Sequence, residues 1–194
     1  HVEVDGEAPP VWADLSGMYL TADGRSIHLH CNFPHHADGV VELLGTSHDR
    51  TAVYAAIAER DAIELEAELI ACGLIGAAVR TLDEWDAHPH ALATPDLPLI
   101  EIVRVGDADP STPSGSTAAP LRVLDCSRVL AGPVAGVMLA NLGAVVMRLG
   151  AAHLPCIPVG VLSTGFGKRN ALADLRTESG RAAMEHLLAG TDVW

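Results

Sequence analysis

Apolar and polar positions change their spacing several times along this chain, and each change marks an expected element. Residues 18–22 (MYLTA) and 26–31 (SIHLHC) read as two short strands around Asp23-Gly24, the dipeptide that best supports a tight hairpin. From Pro34 to Leu44 the apolar positions Val40, Val41, Leu43 and Leu44 suit an amphipathic helix closed by Gly45. Asp49 is placed to cap a helix over 50–60, and Asp61 a further helix through Cys72 that Gly73 closes. Ile75 to Val79 reads as a strand and Leu82 to Asp86 as a helical turn. His88-Pro89 breaks that turn, because the residue before a proline is driven out of the helical region. The alternation in LIEIVRV, residues 99–105, predicts one more strand.

A second pattern begins after residues 106–120, GDADPSTPSGSTAAP, whose small and polar side chains bury too little apolar surface to offset chain entropy. That stretch reads as a linker. Beyond it, Leu121 to Cys126 is an apolar strand, Ala131 to Leu142 a helix and Ala144 to Leu149 a second apolar strand, a sequence that implies a parallel, right-handed crossover. A third strand is expected over Ala171 to Leu175, then a helix over Glu178 to Leu188 with Thr177 as its N-cap and Gly190 past its end. A strand begins at Thr191 to Trp194. The expected fold class is α/β: a small α+β domain over 1–105, the linker 106–120, and a nucleotide-type parallel βαβ half-domain over 121–194.

Composition narrows the partners. The chain has 194 residues, 49% apolar and 19% charged, which places it among ordinary globular proteins. A net charge of -13 argues against nucleic acid or an anionic membrane as partner, so an anionic ligand needs a local basic site. The apolar runs are too short to span a bilayer and HVEVDGEAPP lacks the regions of a signal peptide, so a cytoplasmic protein is expected. Cys31, Cys72, Cys126 and Cys156 show no CxxC spacing and read as reduced core thiols. The opening without Met and the close on TDVW give the expectation of a fragment.

Three groups of residues invite chemistry. In SRVLAGPVAG, 127–136, Gly132 either lets a ligand approach the backbone or simply permits a tight turn, while Pro133 presets the helix start, where free amides favour an anion. In GFGKRN, 165–170, adjacent cations Lys168 and Arg169 on a glycine-rich turn suit phosphates, or else form a solvated turn. His28, His30, Cys31, His35 and His36 raise a metal site, which is set aside because no second ligand pair follows at a finger-like spacing; no metal is expected.

VLDCSRVLAGP, LGAVVMRL, GFGKRNALADLRTESGR and the closing LLAGTDVW, taken in order and spacing across Leu121 to Trp194, resemble the N-terminal half of the large domain of class III (CaiB/BaiF) CoA-transferases. That family includes carnitine, formate and bile-acid CoA-transferases and 2-methylacyl-CoA racemases. The resemblance implies a Rossmann-like domain that takes coenzyme A or acyl-CoA as substrate. Leu130 and Ala131 would contact it through their backbones, Ala173, Asp174, Leu175 and Arg176 would lie along its nucleotide portion, and Lys168 and Arg169 hold the family's KR position. It also implies acyl-CoA and carboxylic acid substrates and an interlocked homodimer.

This chain departs from the family text at Val145, where an acidic residue is usual, and at Gly150 and Ala151, where Glu-Arg or Glu-Pro normally follows the second strand; Arg148 is the nearest substitute for the missing cation. The first unit, with TADGRSIHLHCNFPHH and VRTLDEWDAHPHALA, resembles the family's small domain, which normally comes after the large one. The reversed order is expected of a junction in a tandem two-unit protein, with circular permutation the less economical alternative. The family's acyl-carrying aspartate lies beyond Leu121 to Trp194, so no residue here is assigned as catalytic, and Asp125, Asp174 and Asp192 belong to other motifs. The expected activity is transfer of CoA between an acyl-CoA and a carboxylic acid. A noncatalytic CoA-binding or structural half, or a racemase working by acid/base proton transfer, are the alternatives.

Overall fold

A computed structural model of the chain describes residues 3–94, 97–107, 117–119 and 121–194, so residues 108–116 and 120 of the expected linker lie outside the described residues. The chain divides into two compact units, Trp12–Asp109 and, as the other, His1–Val11 with Pro110–Trp194.

In the unit Trp12–Asp109, β1 (Gly17–Leu20), β2 (Ser26–Leu29) and β3 (Gly76–Ala78) form an antiparallel sheet in that order. Strand alternation sends Tyr19, Ile27, Leu29 and Ala78 into the core and leaves Met18 and Leu20 outside. The Asp23-Gly24 turn closes as expected, with Gly24 in the left-handed region at φ +77 and the Thr21 amide donating to the Arg25 carbonyl at 3.0 Å.

Three helices cover this sheet: α1 (Pro34–Leu44), α2 (Arg50–Ile57) and α3 (Ala62–Ala71). They deliver Val40, Val53, Ile57, Leu65 and Leu69 to a core that also holds Leu15, Tyr19 and Cys31. Each fully buried aliphatic side chain there contributes about 1.5–3 kcal/mol. The caps fall where the sequence puts them: Asp49 accepts from the Ala52 amide at 2.8 Å, and Asp61 from Ile63 and Glu64 at 2.9 and 3.1 Å. α2 stops three residues short of the expected Arg60, because the Arg60 amide turns back onto the Ile57 carbonyl and its own carbonyl accepts from Ala22. Burial pushes the Cys31 thiol up to about 11; all four cysteines are free, but of those expected in a core Cys31 is buried, Cys126 half-buried, and Cys72 and Cys156 exposed.

Glu66 ties α3 to the sheet, accepting from the Ala78 amide at 3.0 Å and from the Arg80 guanidinium. α4 (Leu82–Asp86) opens with a Thr81/Glu84 capping box, and α5 (Pro89–Leu92) restarts after His88, whose ring nitrogen accepts from the His90 amide at 3.2 Å. The proline therefore separates two helical turns, and Trp85 stacks on His88 with ring centroids 5.5 Å apart.

The strand expected over 99–105 does not form: among the described residues this stretch pairs with no other strand, and Leu99, Ile100, Ile102, Val103 and Val105 are all exposed. Alternation describes a surface fit for a sheet, but a strand exists only where a neighbour completes its ladder.

In the other unit, β4 (Arg122–Asp125), β5 (Val145–Gly150) and β6 (Lys168–Leu172) form a parallel sheet in the order β4-β5-β6. The expected crossover is there, with α6 (Ala131–Asn141) joining β4 to β5 and packing Leu139 and Ala140 against Val123, Ala144 and Val146. α7 (Pro158–Thr164) was not expected; it starts with proline at its first turn. α8 (Glu178–Leu188) has the bounds and the Thr177 cap that the sequence indicates, with Thr177 accepting from the Gly180 amide at 3.0 Å. The strand expected over 191–194 is represented by a single parallel bridge, Val123 to Val193. No helix among the described residues is long and apolar enough to cross a membrane.

One correction bears on chemistry. The third strand was expected over Ala171 to Leu175, yet the ladder runs from Lys168 to Leu172. Gly167, at φ +75, completes the turn one residue before Lys168, so the two cations are strand residues, not turn residues.

Candidate functional site

The loops after β4 and β6 leave the same edge of the parallel sheet, the edge where open α/β sheets hold their ligands. β5 lies between them, so the two loops start about 10 Å apart. Leu130 and Ala131 sit on the first loop and at the start of α6, both exposed. Ala173, Asp174, Leu175 and Arg176 form the second loop. Five of the sequence-assigned positions besides Arg169 and Lys168 therefore share one edge with the sixth, Arg176, at its outer end.

The first loop is built around Asp125, the last residue of β4. One carboxylate oxygen accepts from the Ser127 amide at 3.0 Å and from the Ser127 hydroxyl. The other accepts from the Lys168 ammonium at 2.7 Å. Lys168 also donates to the Pro133 carbonyl at 2.7 Å. The Lys168 side chain is 0% exposed and that of Asp125 5%, so this pair is sealed inside the unit. Burial pushes the Asp125 carboxyl up, but hydrogen bonds from Lys168 and Ser127 outweigh it and hold the group below its ordinary value.

Two glycines make that arrangement possible. A Cβ on Gly136 would stand 2.7 Å from the Lys168 ammonium and 2.8 Å from Asp125. A Cβ on Gly132 would stand 2.2 Å from that of Ser127, so its missing side chain makes room for the loop itself. Three residues before Gly132 the backbone is strained: Val129 has φ +70, a region β-branched residues avoid, at a cost of about 1–3 kcal/mol. Arg128 helps hold the loop by donating to the Pro155 carbonyl.

Because successive strand residues face opposite ways, Lys168 and Arg169 do not act as a pair. Lys168 points inward to Asp125; Arg169 is exposed and its side chain makes no hydrogen bond or ion pair among the described residues. Arg148, on the middle strand and in register with Asp125 and Asn170, is half-buried, and its side chain also makes neither among the described residues. In sequence it stands out only as the nearest cation to the lost Glu-Arg position.

On the second loop, Asp174 accepts from the Arg176 amide at 3.0 Å and from its guanidinium at 2.7 to 3.2 Å. The Arg176 hydrogen bonds hold the Asp174 carboxyl well below the usual carboxylate range. The Arg176 side chain is 67% exposed, so water screens this ion pair. Gly180, in the first turn of α8, is packed directly under the Asp174 carbonyl.

The histidines of the other unit are arranged for packing. Trp12 meets His28 and His30 edge-on at 6.0 and 5.8 Å, and His35 meets His36 at 4.1 Å. Among the described residues no group of three or more His, Cys, Asp or Glu is placed to hold a metal ion.

Residues 119–194 match the family model described as CoA-transferase family III. The matched segment runs from just before β4 to the last residue and contains both loops. That match covers less than half of the 194-residue chain. The chain is also 30% identical over 109 residues, 56% of its length, to acetyl-coenzyme A transferase nodX of Hypoxylon pulicicidum, and spans 15% of that curated relative. Among solved structures, a CAIB/BAIF family protein from Brucella suis is similar at 28% identity over 41% of this chain and 25% of its own, with a TM-score of 0.33. A hypothetical protein from Mycobacterium tuberculosis is similar at 31% identity over 42% of this chain and 25% of its own, with a TM-score of 0.35. The buried Asp125–Lys168 pair and both edge loops lie within the segment that matches the family model.

Proposed function

We propose that residues 121–194 bind coenzyme A, and that the whole protein to which they belong transfers CoA between an acyl-CoA thioester and a carboxylic acid. The observation that carries this reading is the family match over 119–194 falling on two loops at the ligand-binding edge of a parallel sheet. Leu130 and Ala131 offer backbone at the first loop. Ala173, Asp174, Leu175 and Arg176 line the second, with Arg176 released from Asp174 to a phosphate. Arg169 and Arg148 supply further cations, and Arg148 stands in for the Glu-Arg contact that Gly150 and Ala151 lack.

In this reading an aspartate outside residues 121–194 attacks the acyl-CoA carbonyl, forming a mixed anhydride and releasing the CoA thiolate. The thiolate then attacks the aspartyl carbonyl, freeing the first carboxylate and leaving an aspartyl-CoA thioester for exchange with the acceptor acid. The aspartates present have other tasks: Asp125 is buried against Lys168, Asp174 is held by Arg176, and Asp192 accepts from the Arg122 amide at 2.8 Å. Residues 1–105 are the transferase-type small domain in the same reading, 106–120 the linker, and the working protein a cytoplasmic, interlocked homodimer.

Calorimetric titration of the 194-residue chain with CoA tests the binding step. Saturable binding is expected, weakened about tenfold by Arg176→Ala; a chain that takes up no CoA at millimolar concentration refutes it. A second reading, a noncatalytic CoA-binding half, is favoured by Val145, Gly150 and Ala151 at positions the family fills with charged residues. Exchange of labelled CoA between acyl-CoA and acid by the whole protein separates the two.

A further inference from the structure

We infer that Lys168 is a positioning residue: it sets the β4–α6 loop for ligand binding through Asp125 and the Pro133 carbonyl, and does not itself touch the ligand. This rests on the CoA-binding reading for its ligand and on geometry for its mechanism. Lys168 opens β6, where its register partner is Val146 and, one strand further, Val123. Its side chain crosses beneath α6 to reach Asp125 at the far end of β4, through the slot left by Gly136.

One ammonium thereby joins three elements: β6 that carries it, β4 through Asp125, and α6 through Pro133. Asp125 passes the constraint on, since its other oxygen fixes both the amide and the hydroxyl of Ser127. The next residues are Arg128, tied to Pro155, and Val129, held at positive φ. A β-branched residue stays in that region only where its surroundings over-determine it, and the brace under it is what does so here. Leu130 and Ala131, both exposed at the start of α6, follow directly.

With its side chain sealed at 0% exposure and both its hydrogen-bond partners internal, Lys168 has no face left for a phosphate. Its effect on a ligand is preorganisation: a loop already fixed in the binding posture loses less freedom on association.

The test uses the 194-residue chain with CoA as the probe. Lys168→Met leaves Asp125 buried and alone and risks unfolding, so the informative variant is Lys168→Met/Asp125→Leu, because replacing both members of a buried pair with apolar groups is often neutral for stability. Unfolding midpoint, amide hydrogen exchange of residues 127–136 without ligand, and CoA affinity are measured on wild type and double variant. Expected are an unchanged midpoint, exchange of those amides accelerated at least about tenfold while α3 is unaffected, and CoA affinity weakened about tenfold. A double variant with wild-type midpoint, wild-type loop exchange and wild-type affinity overturns the inference. So does faster loop exchange that comes only with a lowered midpoint and is matched in the rest of the unit. If the wild-type chain binds no CoA, the functional reading fails, and the exchange of 127–136 decides the brace by itself.

Discussion

Gly180→Ala puts a small group where the second ligand loop meets α8, and two opposing effects can be weighed. Alanine is the better helix former by about 1 kcal/mol, so an unconstrained glycine in a helix would give a more stable chain. Here the added Cβ would lie 2.0 Å from the Asp174 carbonyl oxygen, 2.5 Å from its carbon and 3.0 Å from the Thr177 hydroxyl. The obstruction is backbone, and relieving it means moving Asp174 outward by about 1 Å. That carbonyl accepts from the Thr177 amide at 3.0 Å and from the Thr177 hydroxyl at 2.7 Å, and both bonds are lost in the move. They contribute about 1 kcal/mol each, and overpacking adds about 1–3 kcal/mol, so the net expectation is destabilisation by about 2–4 kcal/mol. Trp194 is the one tryptophan of its unit, so in a Trp12→Phe/Trp85→Phe background its fluorescence reports urea unfolding of that unit alone. A Gly180→Ala chain more stable by about 1 kcal/mol would show that helix propensity wins and that the Asp174 turn is not packed as described.

Further expectations concern the other unit. Asp61→Ala removes the cap that accepts from Ile63 and Glu64 and is expected to lower stability by about 1 kcal/mol in urea unfolding followed by circular dichroism. Tyr19→Phe deletes a buried hydroxyl that donates to the Leu15 carbonyl at 2.9 Å and leaves that carbonyl unmet, for a loss of about 1–2 kcal/mol by the same measurement. His36 is buried, and burial, with His35 and His30 beside it, pushes its pKa below the ordinary 6.5. As pH falls through 6.5 the unfolded chain takes up a proton that folded His36 does not, so stability declines until the folded pKa is passed; His36→Leu is expected to flatten this limb of unfolding midpoint against pH.

Legibility in the sequence followed the range of the interaction. α1, α4 and α8 have the bounds expected of them because their signals are local: Gly45 after α1, Thr81 before α4, Thr177 before α8. The hairpin around Asp23-Gly24 was legible for the same reason. Residues 99–105 had a strand pattern without a partner, which no local pattern reveals. β6 slipped by three residues because its first half, Lys168 to Asn170, is polar and the apolar run that follows leaves the sheet after Leu172.

For the candidate site, the loops were legible and the cations were not. Lys168 and Arg169 are neighbours in sequence, yet strand alternation gives them separate roles. The partner that buries Lys168 is Asp125, 43 residues earlier, on a strand two places away in the sheet. Gly132 and Gly136 were visible as small residues, but only the fold shows that one accommodates Ser127 and the other the Lys168–Asp125 pair.

Amide NMR of the 194-residue chain titrated with CoA tests the central claim most directly. Saturable shifts concentrated at Ser127 to Gly132 and Ala173 to Thr177 are expected, with the helices of the Trp12–Asp109 unit unmoved. Shifts confined to that other unit, or no saturable shift at all, would contradict it.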